Sequence, residues 1–197
     1  NCKKLTSITI PASCSSIEQD AFRECSELSE VVLKEGVKTI ASNVFTNCPN
    51  LTSVTLPNSL IAIGTEAFNG CSSLTHITIP KNIKSIAERT FASCTSLATI
   101  SLPDSLTTIG YQAFYGSGLT EIDLPNSITS YANNCFEKCR NLTSVTIPAG
   151  ITSIPNEMFI DCNNLTSVSI PEGVTTIGGG AFKNCNLLSV QLPNSLT

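Results

Sequence analysis

Leu51-Thr52-Ser53-Val54-Thr55-Leu56-Pro57-Asn58-Ser59-Leu60-Ile61-Ala62-Ile63-Gly64-Thr65-Glu66-Ala67-Phe68-Asn69-Gly70-Cys71-Ser72-Ser73 is a unit of 23 residues that the chain writes repeatedly. Its opening Leu recurs as Leu5, Leu28, Leu51, Leu74, Leu97, Leu119, Leu142, Leu165 and Leu187, at a spacing of 23 that shortens to 22 twice. Its Phe recurs as Phe22, Phe45, Phe68, Phe91, Phe114, Phe136, Phe159 and Phe182, which accounts for all 8 phenylalanines. A Cys column runs Cys2, Cys25, Cys48, Cys71, Cys94, Cys139, Cys162 and Cys185, with Ser117 standing in one repeat. Pro closes the first apolar stretch in most copies, and Lys34 replaces it once. A period of this length with no change of composition means one solenoid whose units bury one another, so residues 1–197 form a single domain of about eight repeats.

Each part of the unit has its own local preference. Val54-Thr55-Leu56 alternates apolar and polar, as a half-buried strand does. Pro57 removes a ladder donor and ends it, and Asn58-Ser59 supplies a turn. Leu60-Ile61-Ala62-Ile63 is a second short extended stretch. Ala67, Phe68 and Cys71 lie at a spacing that fits one helical or 3₁₀ turn with one buried side. The reading is an α/β solenoid, mostly β, with a parallel sheet on one face, a second short-strand sheet and short helical turns. Eight coils at about 4.8 Å each stack to roughly 40 Å.

Composition narrows the function. The net charge is −4 with 11 Lys+Arg, so no basic patch for nucleic acid or an acidic membrane is expected. No apolar run approaches the roughly 18 residues of a membrane span. One His and one Met leave little material for metal or acid–base chemistry, and no cofactor is expected. The 10 Cys lack zinc spacing: the one close pair is Cys135 and Cys139, where Cys135 takes the slot held elsewhere by Ala113 and Ala181. Cys14 takes a slot filled by Val37, Leu60 and Leu106. Column neighbours about 4.8 Å apart with parallel Cβ vectors suit a ladder of buried free thiols better than bridges.

The L-x-x-L-x-L core with Pro after the strand and A-F-x-x-C near the end, as in Ala67-Phe68-Asn69-Gly70-Cys71, resembles BspA-type leucine-rich repeats over essentially the whole chain. The resemblance implies a right-handed leucine-rich repeat coil. It also implies a non-enzymatic cell-surface or secreted module that binds a protein or glycan in adhesion to host cells or matrix. The alternative is a structural spacer that presents another domain. Both ends stop inside a repeat without polar caps, so the segment is expected to belong to a longer protein.

Candidate partner-binding residues were sought where the repeat varies. Outward strand positions carry mostly Thr and Ser, with Glu30, Thr55, His76, Thr78, Glu121 and Asp123 the positions able to select a partner. Glu121 and Asp123 should share one face of one strand. Tyr111 and Tyr115 stand off the sheet beside the Gly116-Ser117-Gly118 break, in a repeat one residue short. A hydrolase reading would cast Ser53 as nucleophile and His76 as base, but no carboxylate is placed to orient the imidazole and no oxyanion hole is evident. Gly178-Gly179-Gly180 matches no phosphate-loop pattern. Asn50, Asn141 and Asn164 match the N-x-[ST] acceptor pattern, which here falls out of the repeat consensus.

Overall fold

A computed structural model of the chain describes residues 2–197. Two families of parallel strands build it. The first comprises β1 (Ser7–Ile10), β3 (Glu30–Leu33), β5 (Ser53–Thr55), β7 (His76–Thr78), β9 (Thr99–Ser101), β12 (Ser144–Thr146), β14 (Ser167–Ser169) and β16 (Ser189–Gln191). The second comprises β2 (Ser16–Ile17), β4 (Thr39–Ile40), β6 (Ala62–Ile63), β8 (Ser85–Ile86), β10 (Thr108–Ile109), β11 (Ser130–Tyr131), β13 (Ser153–Ile154) and β15 (Thr176–Ile177). Partners are the same position one repeat on, such as Val31 with Val54 and Ile40 with Ile63. The alternation is as the sequence requires: in β7, Ile77 points into the core while His76 and Thr78 face out.

The α/β assignment does not hold: among the described residues there is no helix. The segment read as a helical turn is a third ladder. In each repeat the residues two before and two after Phe have positive φ, for example Glu66 (57°) with Gly70 (73°) and Arg89 (50°) with Ser93 (57°). The pattern holds in all eight repeats, and 13 of its positions are not glycine. A left-handed residue every fourth position stops a right-handed helix from propagating. Alternate amides then turn outward along the stack. Phe68 N donates to Thr90 O (3.0 Å) and Gly70 N to Ala92 O (2.8 Å), while Ala67 and Asn69 N close turns inside their own coil.

Inside this turn edge the eight Phe rings form one unbroken column, with centroids 5.3–5.7 Å apart and planes within 15° of parallel. Centroids that far apart in parallel rings mean offset stacking. The Cys column lies beside it. Each thiol donates to the carbonyl of the Phe in the preceding coil, as Cys94 Sγ does to Phe68 O (3.1 Å) and Cys162 Sγ to Phe136 O (3.1 Å). Those carbonyls also accept a turn amide, Cys71 N on Phe68 O (3.2 Å) and Cys139 N on Phe136 O (3.2 Å). The thiol therefore occupies the second lone pair of a buried oxygen, which Ala in that slot would leave unmet. No disulfide joins the cysteines, and seven of the ten are buried. Burial pushes the Cys94 thiol up to about 12 and that of Cys48 to about 11.

The sheets are not continuous. The first runs β1-β3-β5, then β7-β9, then β12-β14-β16; the second runs β2-β4-β6, β8-β10-β11 and β13-β15. Both break between the third and fourth coils, and the first breaks again between β9 and β12, where residues 119–124 form no strand. The second also breaks between β11 and β13, where Pro155 has no N–H to place opposite Tyr131, in the slot from which Gly178 donates to Ile154 O (2.8 Å). The turn-edge ladder crosses every break, through Phe68 N to Thr90 O (3.0 Å) at the first, Phe114 N to Cys135 O (2.9 Å) into the coil that adds no strand to the first sheet, and Phe136 N to Met158 O (3.0 Å) beside Pro155. One buried hydroxyl, Tyr131 Oη, has no partner, and burial raises its pKa.

Three outcomes are expected. Ser93→Gly, which relieves a left-handed serine without touching a side-chain contact, should raise the urea midpoint by the equivalent of about 1 kcal/mol, and Ser93→Val should lower it by more. Phe91→Ala should cost about 3–5 kcal/mol. Because the unfolded thiols titrate near 9 and folded Cys48 and Cys94 near 11 and 12, stability should hold below pH 9 and fall as pH rises through 9 to 12; urea melts across pH 7–11 check this.

Candidate functional site

Three of the outward residues converge. Thr55, His76 and Thr78 line a shallow cleft of about 440 Å³ together with Thr52, Ser53 and Asn58, over a floor of Val54, Leu56, Ile77 and Pro80. The cleft lies across the first seam, where β5 and β7 run side by side without ladder pairing. His76 is held on one side: Nδ1 lies 2.9 Å from Thr99 Oγ1 and Nε2 3.2 Å from Thr78 Oγ1. Either tautomer is satisfied, since a hydroxyl both donates and accepts. Neither ring nitrogen is placed on Ser53, so the nucleophile–base pair of a hydrolase is not assembled here.

The other acidic candidates lie elsewhere. Glu30 is exposed in β3 opposite Ser53, one coil beyond the cleft. Glu121 and Asp123 do not share a strand, because residues 119–124 form none. That stretch follows directly on the one-residue deletion at Gly118, its two like-charged carboxylates would repel on one face, and Asp is a poor strand former.

Tyr111 and Tyr115 belong to the turn edge and are each covered by a cation from a neighbouring coil. The Arg89 guanidinium lies 5.9 Å from the Tyr111 centroid, and Lys138 Nζ lies 4.8 Å from that of Tyr115. Lys138 also donates to Tyr115 Oη (2.7 Å) and pairs with Glu137 (3.4 Å); the Tyr115 bond, first, and Glu137 raise its pKa. A chain of side chains climbs this edge. Arg89 Nε donates to Gln112 Oε1 (2.8 Å), Gln112 Nε2 to Glu137 Oε2 (3.1 Å), and Asn134 Nδ2 to both Glu137 and Glu157 (2.9 Å each). The sequence reading missed Arg89, Gln112, Asn134, Glu137 and Lys138. Of these, Arg89, Gln112, Asn134 and Lys138 occupy the left-handed positions flanking Phe, and the Asn and Gly residues in those two columns were the available signal. Asn50 and Asn141 turn their amides onto Ser26 O (2.9 Å) and Gly118 O (3.4 Å) of the preceding coil.

Among the described residues no group of His, Cys, Asp and Glu gathers in a way that could hold a metal ion, and no helix is long and apolar enough to cross a membrane.

A family model for the BspA type leucine-rich repeat region matches residues 1–118 and 84–197 in 6 copies. The chain belongs to the BspA-type leucine-rich repeat family. Two solved structures are similar to this BspA-type chain at 31% identity. A leucine-rich cell surface protein from Faecalibacterium prausnitzii covers 100% of it with a TM-score of 0.73, and the T. pallidum leucine-rich repeat protein covers 93% with 0.76. The chain spans 64% of the first of these and 82% of the second. The pneumococcal vaccine antigen PcpA, at 19% identity and a TM-score of 0.56 over 98% of the chain, shares the fold. No curated protein sequence matched.

Reagent access should follow the burial of the Cys column. A thiol-reactive probe should label exposed Cys2 at once and half-buried Cys14 and Cys185 slowly, and reach all ten thiols after denaturation without reductant. Fast native labelling of Cys71 or Cys94 would contradict the packing.

Proposed function

We propose that this chain is a non-enzymatic binding module of a cell-surface or secreted protein, recognising a protein or glycan in adhesion through the cleft around Thr55, His76 and Thr78. The observation that carries the reading is the convergence of these three side chains on a cleft at the seam where β5 and β7 run side by side without ladder pairing. Hydroxyls and an imidazole present donors and acceptors to a partner, and partly exposed Val54 and Leu56 give it apolar surface to cover. The affinity of such a face comes from many weak contacts held on a rigid frame, so little ordering cost is met on binding. That a relative at 31% identity is described as a cell surface protein supports the location.

The test is a binding screen of the full-length protein against matrix proteins, host-cell surfaces and glycans. At least one ligand should be retained, and Thr55→Lys with Thr78→Lys should weaken it by tenfold or more while the melting temperature stays within a few degrees. No retained ligand, or a ligand indifferent to both substitutions, would overturn the reading.

The uniform Thr and Ser covering of the outer strands also supports a second reading, a rigid spacer. Exchanging this segment for an unrelated solenoid of equal length would leave a spacer's host protein active and abolish a binding module's.

A further inference from the structure

A second recess lies on the turn side of the molecule, at the short repeat. Most repeats place two residues between the Cys slot and the next Leu, such as Thr95-Ser96 and Arg140-Asn141; here Gly118 stands alone between Ser117 and Leu119, as Asn186 does between Cys185 and Leu187 in the last repeat. The missing residue leaves a notch of about 300 Å³ in the wall, lined by Thr95, Gly116, Ser117, Gly118, Lys138, Arg140 and Asn141. Two glycines keep it open, for different reasons. A Cβ on Gly118 would meet Thr95 O at 2.2 Å, so the backbone there sits directly on the coil below. A Cβ on Gly116 would meet nothing within 4 Å, so its absence is free space.

The rim is charged and partly uncommitted. Lys138 is engaged by Tyr115 and Glu137. Arg140 is exposed, and among the described residues its guanidinium has no hydrogen-bond or ion-pair partner. A free guanidinium is the side chain best shaped to take an anionic group with two parallel hydrogen bonds. Beneath it lie hydroxyl, amide and glycine backbone, and none of the seven lining residues has a purely apolar side chain. Between the Thr95 hydroxyl and the Asn141 amide, the glycine Cα atoms and the methylenes of Lys138 and Arg140 leave apolar surface, a mixture that suits a sugar ring, whose C–H face covers the one while its hydroxyls meet the other.

We infer that this notch is a binding site for an acidic sugar, its anionic group held by Arg140 and its ring seated over Gly116 to Gly118 against Thr95 and Asn141. This rests on the reading of the chain as a binding module, but not on the cleft around His76. Loss of one site would leave the other intact, so the two fail separately.

Titration of the full chain with glucuronate, galactose 6-sulfate, glucose and a short uncharged peptide with a free C-terminal carboxylate, followed by NMR or calorimetry, tests it. At least one acidic sugar should bind with a dissociation constant on the order of 1 mM, as a ligand of this size allows, and glucose at least tenfold more weakly; which acidic sugar binds tells carboxylate from sulfate. Arg140→Ala should weaken binding tenfold or more. Gly116→Asn should abolish it without unfolding the chain, because Asn47 and Asn184 hold the same column at φ 56° and 61°. Lys84→Gln, remote from the notch, controls for net charge and should bind as wild type. Equal binding of glucose, no saturable binding of either acidic sugar, a peptide carboxylate that binds as tightly as the sugars, or an Arg140→Ala chain that binds normally would each overturn the inference.

Discussion

The coils of this solenoid are joined at the turn edge before they are joined anywhere else. Two left-handed residues around each Phe aim alternate amides at the next coil, and the Phe rings stack directly inside them. This ladder spans every step of the stack, while both sheets stop between the third and fourth coils, the first stops again between β9 and β12, and the second stops again at Pro155. The cost is real: a left-handed residue other than Gly is disfavoured by roughly 1–2 kcal/mol, most mildly for Asn and Asp. The structure pays it at 13 positions. What offsets it is the burial of the eight-ring Phe column and of the Cys column beside it, whose thiols donate to six of the Phe carbonyls.

The same constraint explains where partner-binding chemistry can sit. A wall that must stack in register leaves the strands free to vary only on their outward positions, and these are mostly hydroxyls. Recognition then depends on departures from the repeat. One is the seam, where the cleft under His76, Thr55 and Thr78 opens. The other is the deleted residue beside Gly118, where the notch under Arg140 opens. Both are absences in an otherwise periodic pattern.

Much of this was legible in the residues. The Leu, Phe and Cys columns announced the solenoid, and period-two alternation placed Ile77 inside and His76 outside. Where the reading failed, a short-range signal imitated another. Ala67, Phe68 and Cys71 sit at helical spacing, yet Asn43, Asn47, Gly70, Gly180 and Asn184 at the flanking positions mark left-handed backbone, which a helix does not tolerate in series. Glu121 and Asp123 fell in the strand slot that follows the one-residue deletion at Gly118, where two like charges on one face disfavour a strand. The side-chain chain from Arg89 to Glu157 was illegible for a different reason: its bonds join residues up to 25 apart, and stacking alone brings them together. Of the three breaks, Pro155 marks one and the deletion at Gly118 adjoins another. The structure offers no residue-level cause for the third.

The central claim is that the turn edge, and not the sheets, carries the stack through its seams. Amide hydrogen exchange under native conditions tests it directly. The outward amides of Phe45, Phe68, Phe91 and Phe136 should be among the slowest in the chain and similar to one another, including across the breaks, while the amides of Val54 and Tyr131, whose ladder acceptors would lie across a break, should exchange faster. Rapid exchange at Phe68 and Phe136 with uniform protection along the strands would contradict the account.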